Sequence, residues 1–169
     1  MLRPALLLTL LALPAQADIT AEFVEGAPKD RFRIVNTSAC PTGPLEVTID
    51  LSTSPAGLIF DTTGSGAGVN VFQPFQIIAG GENVQSAGEI TDGDSTAVLS
   101  LSTIPAKGNV VFTIDVDDTL ESSSNGQTMI SGSEIEGAEL RVQIETGKTY
   151  IASFDRIGDA RLPWEACIS

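Results

Sequence analysis

The sequence predicts an all-β fold: an antiparallel β-sandwich of nine to ten strands with jelly-roll-like or Greek-key connections. Three observations carry this expectation. Apolar residues recur at a period of two in short runs, turn-forming clusters separate those runs, and no window of twelve or more residues holds an apolar stripe at helical spacing.

The chain opens with Met1-Leu2-Arg3, an apolar run from Ala5 to Leu13, and the small-x-small triplet Ala15-Gln16-Ala17. A basic start, a short apolar stretch and a cleavage site make residues 1–17 a secretory signal peptide, leaving residues 18–169 as one domain. The apolar run falls short of the roughly 20 residues a bilayer span needs, and no second long run follows, so no membrane insertion is expected. The protein is therefore expected to be exported, periplasmic or extracellular, with a two-membrane bacterium as the source.

Strands are expected at 19–25 and 31–36, followed by Leu45, Val47, Ile49 and Leu51 alternating with Glu46, Thr48, Asp50 and Ser52. Further strands fall at 57–62, 69–78 and 96–102. Val110, Phe112, Ile114 and Val116 then alternate with Val111, Thr113, Asp115 and Asp117. The chain continues with expected strands at 128–133, at Leu140, Val142 and Ile144, and at 149–155. Pro41-Thr42-Gly43-Pro44, Gly64-Ser65-Gly66-Ala67-Gly68, Gly80-Gly81, Asp92-Gly93-Asp94 and Ser122-Ser123-Ser124-Asn125-Gly126 supply the turns. Leu51-Ser52-Thr53-Ser54-Pro55-Ala56 is echoed by Leu101-Ser102-Thr103-Ile104-Pro105-Ala106, each copy preceding an apolar strand. The echo suggests two equivalent corners.

Charge and composition restrict function. The 169 residues include 9 Lys+Arg against 22 Asp+Glu and no histidine, a formal charge of −13. Loss of Arg3 with the signal leaves 8 basic against 22 acidic residues, a charge of −14. Such a surface opposes nucleic acid and anionic lipid. The absence of histidine excludes Ser-His-Asp and Cys-His catalysis and histidine-ligated zinc or haem. Cys40 and Cys167, the only cysteines, are expected to form one disulfide in an oxidising compartment. Closing so long a loop is worth roughly 5 kcal/mol on the chain-entropy model.

Chemistry is best placed at Thr113-Ile114-Asp115-Val116-Asp117-Asp118-Thr119. Alternation sets Asp115 and Asp117 on one outward face, about 6.5 to 7 Å apart, while Asp118 turns into the next loop. Carboxylates converging at a strand end, beside carbonyls freed by a loop, suit a hard cation with six to eight oxygen ligands, and calcium is the natural candidate. Asp50 shares the phase, and Asp61, Asp92 and Asp94 also fall at strand ends or turns. Asp50 or Asp61 would complete a four-carboxylate site if its strand lay alongside. The competing reading is that these aspartates cap turns and keep strand edges soluble. The spacing is not that of an EF-hand, since the glycine of Asp92-Gly93-Asp94 comes too early and position twelve from Asp115 is Gly126.

Other motifs carry less. The glycine run 64–68 lacks a P-loop lysine and leads into a strand, so it reads as a flexible hairpin. Asn36-Thr37-Ser38 matches the N-glycosylation triplet. A carboxylate hydrolase would need two acids across a cleft, and sugar clefts usually offer aromatic faces that this chain lacks, so no enzyme is expected. Phe72 and Phe75 are expected to pack between the sheets around an edge bulge at Pro74.

Three stretches together carry a resemblance: Phe23-Val24-Glu25-Gly26-Ala27-Pro28-Lys29-Asp30-Arg31-Phe32; Gly57-Leu58-Ile59-Phe60-Asp61 with Gly64-Ser65-Gly66-Ala67-Gly68-Val69; and Phe112-Thr113-Ile114-Asp115-Val116-Asp117-Asp118-Thr119. The chain resembles small exported bacterial proteins grouped with the sponge aggregation factor core protein. The resemblance covers most of residues 20–145, and Ile130 to Leu140 is similar to a strand pair of bacterial surface β-sandwich domains. It implies calcium-dependent cell–cell or cell–matrix adhesion and aggregation, with calcium bridging acidic protein and glycan, and it brings no catalytic residues; the partner expected is a surface glycan or protein. The alternative is a metal-free periplasmic or secreted module that binds a glycan or a protein.

Overall fold

The computed structural model describes residues 17–26, 28–123 and 125–164. Eleven strands run through them: β1 (Ala17–Val24), β2 (Asp30–Asn36), β3 (Leu45–Asp50), β4 (Ile59–Asp61), β5 (Gln76–Ala79), β6 (Val84–Ala87), β7 (Thr96–Leu101), β8 (Asn109–Asp117), β9 (Glu139–Ile144), β10 (Thr149–Ser153) and β11 (Asp159–Trp164). A single helical turn, α1 (Gly132–Ile135), stands before β9. Among the described residues no helix is long and apolar enough to cross a membrane.

The strands form two antiparallel sheets. One has the order β11-β1-β2-β8-β4, with β5 pairing with β8 as well; the other has the order β10-β9-β3-β7-β6. The chain crosses between sheets after β2, β3, β5, β7, β8 and β10, so apart from the consecutive pairs β1-β2, β6-β7 and β9-β10 each strand neighbour is distant in sequence, the Greek-key manner of connection.

Period-two alternation explains why each sheet has a core face. Ile19, Ala21 and Phe23 of β1, Phe32 and Ile34 of β2, and Val110, Phe112, Ile114 and Val116 of β8 point inward from the first sheet. Val47 and Ile49 of β3, Leu99 and Leu101 of β7, and Leu140 and Val142 of β9 meet them from the second. Phe32 is the hub: its ring stacks on Phe112 at 5.2 Å between centroids and takes edge contacts from Phe60 at 6.4 Å and Phe154 at 6.3 Å. A fully buried aromatic of this kind contributes about 3–5 kcal/mol against alanine.

The echoed hexapeptides occupy equivalent corners. One leads from β3 to β4 and the other from β7 to β8, and both β3 with β7 and β4 with β8 pair antiparallel. Leu51 and Leu101 are both buried at these corners.

Three differences from the sequence expectation have plain causes. Residues 128–133 do not form a strand. Instead Ser131 and Glu134 form a capping box, in which the Glu134 carboxylate accepts the Ser131 N–H at 2.6 Å, and the chain turns into α1. The expected strand 69–78 is reduced to Gln76–Ala79, because Pro74 lacks an amide and the preceding residues fold over the outer face of β8. Two short strands exceed the expected number: β6, with a single irregular pairing to β7, and β11, an edge strand that tolerates Pro163.

Candidate metal centre

The outer face of β8 is the unusual feature of the sheet. Odd residues Val111, Thr113, Asp115 and Asp117 point away from the core, yet all are buried. Their cover at the acidic end is the segment 62–75, which leaves β4, crosses the strand end and returns as β5. Its backbone joins the sheet at Gln73, whose N–H donates to the Asp61 carbonyl and whose carbonyl accepts the Asp115 N–H, each at 3.3 Å.

Register brings a third acid in. β4 pairs with the end of β8 so that Asp61 stands directly opposite Asp115 and Ile59 opposite Asp117. Asp61 is thus the cross-strand neighbour of one aspartate and the diagonal neighbour of the other. The three side chains are 0%, 3% and 1% exposed for Asp61, Asp115 and Asp117, and each offers an oxygen within 4.8 Å of the other two. Both carboxylate oxygens of Asp61, Oδ2 of Asp115 and Oδ1 of Asp117 have no hydrogen-bond partner. Buried ionised groups without partners are strongly unfavourable, and like charges set opposite on a sheet repel.

The covering segment fits this cluster at glycine. A Cβ on Gly68 would lie 2.3 Å from Asp61 Cγ and 2.6 Å from Asp117 Oδ2, so only a residue without one lets the backbone sit so close. The next residue, Val69, donates its N–H to Asp117 Oδ2 at 2.8 Å. Beyond Asp61 stands Asp92, whose Oδ1 accepts the N–H groups of Thr62 at 2.9 Å and Thr63 at 3.1 Å, and whose Oδ2 accepts that of Ala67 at 2.6 Å.

Electrostatics follow the geometry. Burial first, then the contact with Asp92 and the charge of Asp117, push Asp61 up to about 7. Asp115 also rises to about 7, from burial and from the charges of Asp117, Asp61 and Glu25. Burial raises Asp117 too, against the opposing Val69 amide. Asp92 goes the other way: burial alone would raise it, but the three amides outweigh that and hold it at about 2. Asp92 is therefore a fixed anion, whereas the other three sit where carrying charge is costly.

Asp30 is a separate case. Its carboxyl lies beside β8 where β2 begins, accepting the Val116 N–H at 2.9 Å and the Gly26 N–H at 3.2 Å. Burial and the nearby charge of Glu25 push it up to about 9, so it is carried neutral at pH 7.

Of the residues singled out from sequence, Asp61, Asp115 and Asp117 come together. Asp118 does not join them: it is buried in the opposite phase, and its Oδ1 accepts the Leu120 N–H at 2.9 Å in a turn of its own. Asp50 lies in the other sheet, where Oδ2 pairs with Arg141 at 2.8 Å and Oδ1 accepts from Ser52. Cys40 is not a free thiol, and Cys167 lies outside the described residues, as do residues 1–16 of the segment expected to be a signal peptide. Phe75 packs on Phe112 at 5.1 Å as expected, but Phe72 is turned out and 41% exposed. The roles of Asp92 and Gly68 are not legible in the sequence, which shows only an Asp-Gly-Asp turn at 92–94 and a separate glycine run at 64–68.

An all-oxygen donor set suits calcium, magnesium or manganese rather than the softer metals that favour imidazole or thiolate. Magnesium sheds its water reluctantly, whereas calcium accepts a shell built mainly of protein oxygens. A covered cluster of carboxylates fits the latter. No family of known proteins, no curated protein and no solved structure matches the chain.

Proposed function

We propose that the protein is an exported, calcium-binding β-sandwich that acts in cell-surface or matrix adhesion, with Asp61, Asp115 and Asp117 as the carboxylate ligands. One observation carries the metal part: Asp61 is fully buried with both oxygens unpartnered, between two further buried carboxylates. A divalent cation removes the repulsion and supplies the missing partner in one step. The adhesive setting rests on the resemblance to the aggregation factor core protein and on the signal peptide. The role is one of binding, not catalysis.

The second reading, a metal-free module for a glycan or protein, draws on Val71 and Phe72, which are 49% and 41% exposed on the covering segment. A thermal melt of the mature, oxidised protein in EDTA and in millimolar calcium separates the two. At a hundredfold excess over Kd, calcium stabilises by about 2.7 kcal/mol, a shift of several degrees, which Asp117→Asn abolishes. An unmoved melting temperature in wild type favours the metal-free module.

A further inference from the structure

We infer that Asp92 is the positioning residue of the metal centre, an outer carboxylate that holds the covering segment closed over the three ligands before any ion arrives. The inference rests on the calcium reading of the cluster and adds the device that shapes it. Asp92 grips the segment at two places, with Oδ1 on the amides of Thr62 and Thr63 and Oδ2 on that of Ala67. Between them Gly66 passes so near that a Cβ would fall on the carboxylate itself, 2.3 Å from Asp92 Cγ. The grip ends one residue before Gly68, the residue packed on Asp61 and Asp117.

Asp92 is itself fixed by the sheet. The turn carrying it is held to the backbone of β4 by both main-chain groups of one residue: the Phe60 N–H donates to the Asp94 carbonyl at 2.7 Å, and the Gly93 N–H donates to the Phe60 carbonyl at 2.9 Å. Gly93 takes a φ of +85°, which lets the turn double back in this way. β4 therefore carries Asp61 on its end and Asp92 on its flank, so ligand and clamp move as one body. Both oxygens of Asp92 are engaged by amides and its carboxylate also touches Asp61, so Asp92 acts through the segment and through that ligand rather than on the ion.

The test compares wild type, Asp92→Asn and Gly68→Ala by calcium titration and by amide hydrogen exchange in EDTA. An asparagine presents an amide nitrogen where one oxygen had accepted, so half the grip is lost. The expected result is slow exchange at Thr62, Thr63 and Ala67 in wild-type EDTA samples, lost in Asp92→Asn either at Ala67 or at Thr62 and Thr63, according to which acceptor the amide nitrogen replaces, together with a calcium affinity weakened about 10–100-fold at unchanged stoichiometry. Gly68→Ala should abolish calcium binding through its clash with Asp61 and Asp117 while leaving Thr62 and Thr63 protected. Asp92→Asn with lower thermal stability but wild-type affinity overturns the inference and leaves the calcium reading standing. If wild type takes no calcium, that reading fails, and exchange in EDTA still judges the clamp: fast exchange at those three amides in wild type rejects it.

Discussion

Replacing Asp61 with asparagine should make the calcium-free protein more stable, an unusual outcome for a change at a fully buried position. The magnitude follows from the site. A carboxyl raised from 3.8 to about 7 is ionised at pH 8 only against the fold. At about 1.4 kcal/mol per pH unit, that opposition amounts to about 4 kcal/mol. Asparagine is close in size and uncharged, but its amide keeps the shortage of partners, at a cost of about 1–3 kcal/mol. The balance is a gain of about 2 kcal/mol, or roughly 4–8 °C in Tm for a domain of this size. The assay is a pair of melts at pH 8, in EDTA and in 2 mM calcium. Calcium should raise wild type and leave Asp61→Asn where it was, closing the gap between them. An Asp61→Asn protein that melts below wild type in EDTA refutes the reasoning, because it would mean that the carboxylate stabilises the metal-free fold.

Two further expectations follow from the same structure. In EDTA, Asp61 and Asp115 carry folded pKa values near 7 above an unfolded 3.8, so the stability they confer is complete below about pH 4 and is lost as pH rises through 7. Asp30 extends the decline toward 9, while Asp92, held near 2, matters only below about pH 4; urea midpoints should therefore fall from pH 5 to pH 8 in EDTA, and calcium should flatten that slope. Asp50→Ala should cost about 1–3 kcal/mol, because its buried carboxylate pairs with Arg141 and accepts from Ser52, and should leave the calcium titration unchanged. A calcium affinity lowered by Asp50→Ala would place that residue in the metal site after all.

Local patterning made the core strands legible. Alternation in β3, β8 and β9 named the residues that face inward, and it set Asp115 and Asp117 on one face of one strand. What alternation does not encode is which strands become neighbours. Asp50 and Asp61 have similar positions at strand ends, yet β3 belongs to one sheet and β4 to the other, and only the register of β4 against β8 brings Asp61 to Asp115. The outward face of a strand normally reads as solvent-exposed, so a cover from 62–75 leaves no mark in the period. Its clues were chemical: small residues at 64–68, needed for close approach to carboxylates, and Pro74, which ends pairing before β5. The capping box at Ser131 and Glu134 stands in the sequence as Ser-x-x-Glu, but the apolar Met129 and Ile130 before it fit a strand equally well.

The most direct measurement is calorimetric titration of calcium into EDTA-stripped mature protein, with Asp117→Asn alongside. One ion bound per wild-type chain, and none per Asp117→Asn chain, is the predicted result. Absence of binding in wild type, or equal binding in both proteins, would contradict the assignment of the buried aspartates as a calcium site.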